Sequence, residues 1–236
     1  MNESIETFYA IDFDRCLGNF DATLSLINDI AEDMSALSAE NLTKANDKVK
    51  ASGRSFMILK YLKDNDPDLD LDAVQKEFIR RAQVSPESLL EPGALELIDY
   101  LRSQDYQHCI MTFGDEAWQT TKVVAAGLRD TTTLVVGHER KSHIISEWRE
   151  KTTGKFTIPG ECFTSNMPKL AKEVVLIDDK PNAFVGLSEG ALGYLVSKDK
   201  ILPLNPLIKL SRNVIQITCL NEIIDLEKRR KNPSWN

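Results

Sequence analysis

The sequence predicts an α/β fold: a doubly wound parallel sheet with a helical segment inserted after the first strand. Three observations predict it. Short apolar runs alternate with segments of helical periodicity, the pattern of a parallel sheet covered on both faces. Three of those runs end at polar residues, Asp12, Thr112 and Asp178. In such sheets ligands bind at the carboxyl ends of the strands, where strand order reverses. Residues 18 to about 90 show helical patterning alone and interrupt the alternation between the first two strands.

The elements follow in order. Phe8-Tyr9-Ala10-Ile11 is a short apolar run that stops at Asp12, so it reads as a buried strand. Leu24, Ile27, Ala31 and Met34 then recur at helical spacing. A further helix is expected around Phe56 to Leu62, and another carries Leu71, Val74, Phe78 and Ala82 on one face. Between them lie the loop Ala51-Ser52-Gly53-Arg54 and the turn-rich stretch Asp64 to Asp68. Pro92-Gly93 precedes the helical run Ala94 to Arg102. His108 to Met111 is a second strand, ending at Thr112-Phe113-Gly114. Asp115 is placed to cap the next helix and Gly127 to stop it. Thr133 to Val136 is a third strand, followed by a helix over Ser142 to Arg149. Val174 to Ile177 is a fourth and ends at Asp178-Asp179; Leu192 to Val196 and Val214 to Ile217 complete the set.

A chain of 236 residues suits one large domain or a core plus a smaller insert. The net charge of −7 argues against a nucleic-acid partner, because neutralising a phosphate backbone needs clustered Lys and Arg. A local pocket for one small phosphate is compatible with it. The basic cluster Lys228 to Lys231 reads as a solvated tail. Cys16, Cys109, Cys162 and Cys219 form no CxxC pair, so neither zinc spacing nor a dense disulfide framework is present. No apolar stretch reaches the ~20 residues that span a membrane, and the start MNESIETFYAID lacks a signal peptide's basic region and apolar run. The expected setting is reducing and cytoplasmic, with no membrane association.

The residues at the strand ends suit one task. Asp12-Phe13-Asp14-Arg15-Cys16-Leu17 is a DxD tract after a strand, Thr112-Phe113-Gly114 puts a Thr at a strand end, and Asp178-Asp179 is an acidic pair after another strand. In this order they resemble the first, second and fourth motifs of the haloacid dehalogenase superfamily. Pro92-Gly93 followed by a helix resembles the stretch that leads into its second motif. The resemblance covers most of the chain. It implies a Rossmann-like core over residues 1–17 and 91–236 and a helical cap over residues 18–90.

The chemistry that the resemblance implies is magnesium-dependent hydrolysis of a small phosphomonoester. Asp12 is then the nucleophile and a metal ligand, forming an aspartyl-phosphate that water hydrolyses. Asp14 is general acid and then base, with its backbone carbonyl on the metal, and Asp178 completes the metal site. Asp179 lies behind it or holds a bound water. Thr112 hydrogen-bonds the phosphoryl group, helped by the N–H groups of Phe113 and Gly114 at a helix N-terminus. The family also uses a lysine to neutralise the phosphoryl charge. Lys141 is the first choice for it, with Lys155 and Lys180 as alternatives. Arg54, in the cap loop, is the candidate substrate contact. Cys16 reads as a small space-filling residue rather than a catalytic thiol. Trp118, Trp148 and His108 read as packing residues, and His138 and His143 as surface residues. The expected partner is a small phosphorylated metabolite. A phosphomutase or phosphotransferase using the same nucleophile, or a phosphate-binding regulatory module on the same scaffold, are the alternatives. Oligomeric state is not legible.

Overall fold

A computed structural model describes residues 4–35, 37–51, 56–137, 140–197 and 212–231. Arg54 and His138, both singled out above, lie outside the described residues. Strand β1 (Ser4–Ile11) is followed by helices α1 (Phe20–Met34), α2 (Ala39–Ala51), α3 (Ile58–Asn65) and α4 (Leu71–Ala82). A 3-10 turn (Pro86–Leu89) leads to α5 (Ala94–Ser103), β2 (Gln107–Phe113), α6 (Glu116–Ala125), β3 (Thr133–Val136) and α7 (Lys141–Trp148). Then come β4 (Phe156–Ile158), β5 (Lys169–Asp178), a 3-10 turn (Pro181–Phe184), β6 (Ala191–Val196), β7 (Val214–Ile217) and α8 (Asn221–Lys231).

The strands form one seven-stranded sheet in the order β3-β2-β1-β5-β6-β7, with β4 antiparallel to β5 beside this path. The six strands of the path pair in parallel. The alternation of side chains explains why these strands are apolar throughout. Tyr9, Ile11, Val175 and Ile177 pack in one core, and Phe8, Ala10, Val174 and Leu176 in another on the opposite face. The first core takes α5, α6 and α8; the second takes α7.

Three differences from the sequence reading have local causes. β5 starts at Lys169, before its apolar run, because Leu170 and Ala171 pair with Ser4 and Ile5. β4 has three residues, too few to show a period. α2 carries few apolar residues, and its buried Leu42 packs into the core of the inserted segment. The basic cluster is solvent-exposed, as expected, but it is not a tail. It is the last turn of α8, where cations complement the helix dipole. Arg230 there pairs with Glu227 at 2.8 Å and also with Glu173, while the Lys231 ammonium lies 4.1 Å from the Tyr106 ring centre.

Glu227 is fully buried and accepts hydrogen bonds from Tyr9 Oη at 2.9 Å and Tyr194 Oη at 2.7 Å. It thereby ties α8 to β1 and β6. Glu227→Ala removes the acceptor for two buried hydroxyls and a partner of Arg230. We expect it to lower the unfolding free energy by roughly 3 kcal/mol. Urea denaturation measures this, and an unchanged midpoint would contradict the role given to the network.

The inserted helices leave and rejoin the sheet through one neck. Gly18 and Leu90 form an antiparallel bridge, the Asn19 N–H donates to the Leu89 carbonyl at 2.8 Å, and the Glu91 N–H donates to the Leu17 carbonyl at 2.8 Å. A Cβ on Gly18 would lie 2.6 Å from the Phe13 ring, so only glycine permits this approach. Asn19 then caps α1, its Oδ1 accepting from the Ala22 N–H at 3.1 Å. The insert leans on the core through α4 and α6. Phe78 meets Trp118 edge to face at 4.9 Å, and Gln75 donates to Thr121 at 2.7 Å.

Candidate active site

Strands β2, β1 and β5 are parallel neighbours, so their carboxyl ends open on one edge of the sheet. Strand order reverses there, since the chain runs from β1 to β2 and β3 on one side and later crosses to β5 on the other. Asp12 follows β1, Thr112 is the penultimate residue of β2, and Asp178 ends β5. The Asp12 N–H donates to the Ile177 carbonyl at 2.8 Å, which extends the ladder to the site. All three side chains are buried.

Lys141, the first residue of α7, reaches into this edge. Its Nζ donates to Asp178 Oδ2 at 2.7 Å and to Asp12 Oδ1. Ser142 fixes the start of α7 by donating from Oγ to the Val185 carbonyl at 2.7 Å. Burial alone would lower the Lys141 pKa. The two carboxylates outweigh it and raise the group above an ordinary lysine, so the ammonium stays charged. Lys180 meets the site through its backbone, donating its N–H to Asp178 Oδ1 at 2.8 Å. Lys155 lies in the turn before β4, where its N–H donates to Thr153 Oγ1 at 3.2 Å.

Asp12, Asp178 and Asp179 each bring one carboxylate oxygen to within 4.8 Å of the others. Asp12 Oδ2 and Asp179 Oδ1 are buried without a hydrogen-bond partner. Burial pushes the Asp12 carboxyl up to about 6 against the pull of Lys141, with Asp178 adding to the rise. Burial pushes Asp179 up to about 7, and the charges of Asp12 and Asp178 add to it. Three crowded, partly orphaned carboxylate oxygens are the donor set that a hard dication satisfies. These residues fit magnesium.

The Asp14 carboxylate turns the other way, toward α6. Its oxygens accept from Lys122 Nζ and, at 3.2 Å, from Gln119 Nε2. Burial acts to raise its pKa, but the Lys122 ammonium and the two hydrogen bonds hold it below the usual carboxylate value. Gln119 links the motifs. Its Nε2 also donates to the Phe113 carbonyl at 2.8 Å, and its Oε1 accepts from Thr112 Oγ1 at 3.1 Å. A Cβ on Gly114 would lie 2.6 Å from Gln119 Nε2, so glycine there makes room for the link. The sequence reading named neither Gln119 nor Lys122. Their spacing of three places them on one face of α6, which was the available signal.

Helix α6 opens at Glu116, as the expected cap Asp115 requires, so the N–H groups of Phe113 and Gly114 precede the helix. Phe113 is still the last residue of β2, and Asp115 caps the helix by accepting from the Trp118 N–H at 2.9 Å. Phe113 and Gly114 do line the cavity above the aspartates, which measures about 170 Å³. Asp12, Asp14, Thr112 and Lys180 lie on its core side, and residues of the inserted helices form the facing wall. Trp118 both packs on Phe78 and lines this cavity, whereas Trp148 only packs, 6.3 Å from Phe8. Cys16 is buried, and burial holds its thiol well above the ordinary value, so it stays protonated. His143 lies exposed on α7.

No family model and no curated protein matches the chain. Solved structures do. A protein from Burkholderia xenovorans, assigned as a haloacid dehalogenase-like hydrolase, superposes with a TM-score of 0.62 over 95% of this chain and 97% of its own, at 16% identity. A HAD phosphatase from Thermococcus onnurineus gives 0.55 over 94% and 98%, at 14% identity. A HAD-hydrolase from Bacillus subtilis, solved with magnesium bound, gives 0.52 over 95% and 99%, at 17% identity. The fold is that of the haloacid dehalogenase-like hydrolases. Within the HAD-like fold, the sheet edge described above gathers Asp12, Asp178 and Lys141, and no described helix is long and apolar enough to cross a membrane.

Proposed function

We propose that this chain is a magnesium-dependent phosphohydrolase that cleaves small phosphomonoesters through an aspartyl-phosphate on Asp12. One observation carries the reading. Lys141 bridges Asp12 and Asp178, while Asp12 Oδ2 stays buried and unpartnered among three crowded carboxylates. A purely structural ion pair has no use for an orphaned oxygen beside it, since an unsatisfied buried acceptor costs stability.

In the proposed cycle an Asp12 oxygen attacks phosphorus and the bond from phosphorus to the ester oxygen breaks. Asp14 gives that leaving oxygen a proton. Water then attacks the phosphorus of the aspartyl-phosphate, Asp14 takes its proton, and inorganic phosphate departs with Asp12 restored. As it stands, the Asp14 carboxylate is in the form that accepts the proton from water. To act first as the acid, it takes up a proton from solvent or from the arriving phosphate monoanion. The Thr112 hydroxyl, which rests on Gln119 Oε1, would turn to the phosphoryl group beside the Gly114 backbone, and Lys141 offsets its charge. Asp12, Asp178 and Asp179, with the Asp14 carbonyl, would hold magnesium, which when bound relieves the repulsion between nucleophile and phosphate. Residues 18–90 act as a cap that excludes bulk water from the cavity.

The test is phosphate release from p-nitrophenyl phosphate. We expect turnover with magnesium, a loss on the order of 10²-fold or more after chelation with EDTA, and recovery when magnesium is restored. Folded protein that releases no phosphate with magnesium present, or that works fully after chelation, would contradict the reading. Transfer of the phosphoryl group to an added alcohol instead of water would identify a phosphotransferase sharing the first half of the cycle.

A further inference from the structure

The cavity is divided by charge. Its charged side chains, Asp12, Asp14, Arg15, Asp115, Lys122 and Lys180, all come from the core segments. Among the described residues, the inserted helices contribute no charged group to it. They supply Phe20, Leu24, Ile27, Phe56 and Ile58, with Thr23 and Asn46 as the two polar residues. Trp118 extends the apolar wall from the core side. Arg15 comes from the core side, held at a positive φ of 65°, and its guanidinium stacks 4.4 Å from the Phe20 ring centre, which brings a cation to the Phe20 end of the wall. A molecule with its phosphoryl group at the aspartates must direct its alcohol portion at this wall.

We propose, resting on the hydrolase reading above, that the substrates are monophosphate esters of a small apolar alcohol, aromatic or branched aliphatic, and not of a polyhydroxylated sugar or glycerol. Two magnitudes decide between these classes. An apolar group placed on the wall gains affinity in proportion to the area it buries, roughly 30-fold for a single ring or short branched chain. Each hydroxyl buried there without a partner costs about tenfold. Among the described residues, the inserted segment offers only Thr23 and Asn46 as polar partners and Arg15 adds donors at the Phe20 end, so the several hydroxyls of a sugar outnumber the partners this wall provides. The size follows from the room: the cavity holds about 170 Å³ with the phosphoryl group included. An apolar cavity of ~150 Å³ accommodates one benzene molecule, so a single ring with its phosphoryl group already fills this space and anything larger extends into the open mouth.

The experiment uses the full chain with magnesium. Acetyl phosphate reports the core chemistry, because its leaving group is too short to reach the wall. Benzyl phosphate, glycerol 3-phosphate and glucose 6-phosphate report the wall. We expect kcat/KM for benzyl phosphate to exceed that for glycerol 3-phosphate by roughly 30-fold or more. Leu24→Asn should cut this ratio at least fivefold. As a measurement independent of turnover and of any variant, benzylphosphonate should bind wild-type protein roughly 30-fold more tightly than methylphosphonate by calorimetry. Hydrolysis of acetyl phosphate with no preference for the benzyl ester would overturn the substrate class and leave the hydrolase reading standing. Tight benzylphosphonate binding without hydrolysis of any ester would support the apolar subsite and remove the hydrolase reading. Equal binding of the two phosphonates would overturn the subsite.

Discussion

Asp12→Asn is expected to reduce phosphate release by about 10⁴-fold or more, the scale on which covalent enzymes lose rate when the nucleophile is removed. The amide keeps the shape of the side chain and an oxygen that can still accept from Lys141. It cannot form the acyl phosphate. The substitution also removes one of three crowded carboxylates that repel one another, so the protein should still unfold cooperatively within a few degrees of wild type. Circular dichroism and thermal melting establish that the variant is folded before its rate is compared. Turnover near the wild-type value in the folded variant would exclude Asp12 as the nucleophile.

Lys141→Met carries the second large effect, and it falls on stability as well as rate. The side chain is buried with its ammonium between Asp12 and Asp178. Removing one partner of a buried ion pair costs about 3–5 kcal/mol, because the remaining charges are left uncompensated. Two carboxylates remain here, so the upper part of that range is expected. Magnesium should recover part of the loss, since a ligand that binds only the folded state stabilises it. The rate should fall on the order of 10²-fold or more, as when a preorganised group that stabilises transition-state charge is lost. Lys141→Arg should not restore it, because a planar guanidinium does not replace a point charge in a packed site. Thermal melting with and without magnesium, paired with steady-state rates, measures both effects. A Lys141→Met protein as stable and as active as wild type would show the bridge to be incidental.

How much of this was legible in the sequence depended on how far each signal reached along the chain. β3 and β7 were found with their ends because apolar strands bounded by turn residues are local patterns. The convergence of Asp12, Thr112 and Asp178 was legible because a parallel sheet places the ends of its strands together, so that position in the strand implies position in space. Lys141 was the weakest of the site residues to read. It lies 37 residues before Asp178 on a separate helix, and only the packing of α7 through Ser142 brings its ammonium to the aspartates. Lys122 and Gln119 were missed for a related reason. A lysine on a helix is ordinarily exposed, and nothing local in α6 indicated that this face meets Asp14. The Asp179 oxygen in the acidic group depends on how the chain turns after β5, which sequence spacing does not specify. The wall built by Phe20, Leu24 and Ile58 required two helices to converge over the sheet edge, a tertiary fact that no single periodicity contains.

In the proposed cycle the phosphoryl group passes through a covalent bond to Asp12. Acid quenching during steady turnover of acetyl phosphate, followed by proteolysis and mass spectrometry of the peptide that carries Phe8 to Asp14, tests it most directly. One phosphoryl group is expected on that peptide, assigned by fragmentation to Asp12, lost on treatment with hydroxylamine and absent from Asp12→Asn. Full turnover with no phosphoryl group on Asp12 at any quench time, or with the group on another residue, would contradict it.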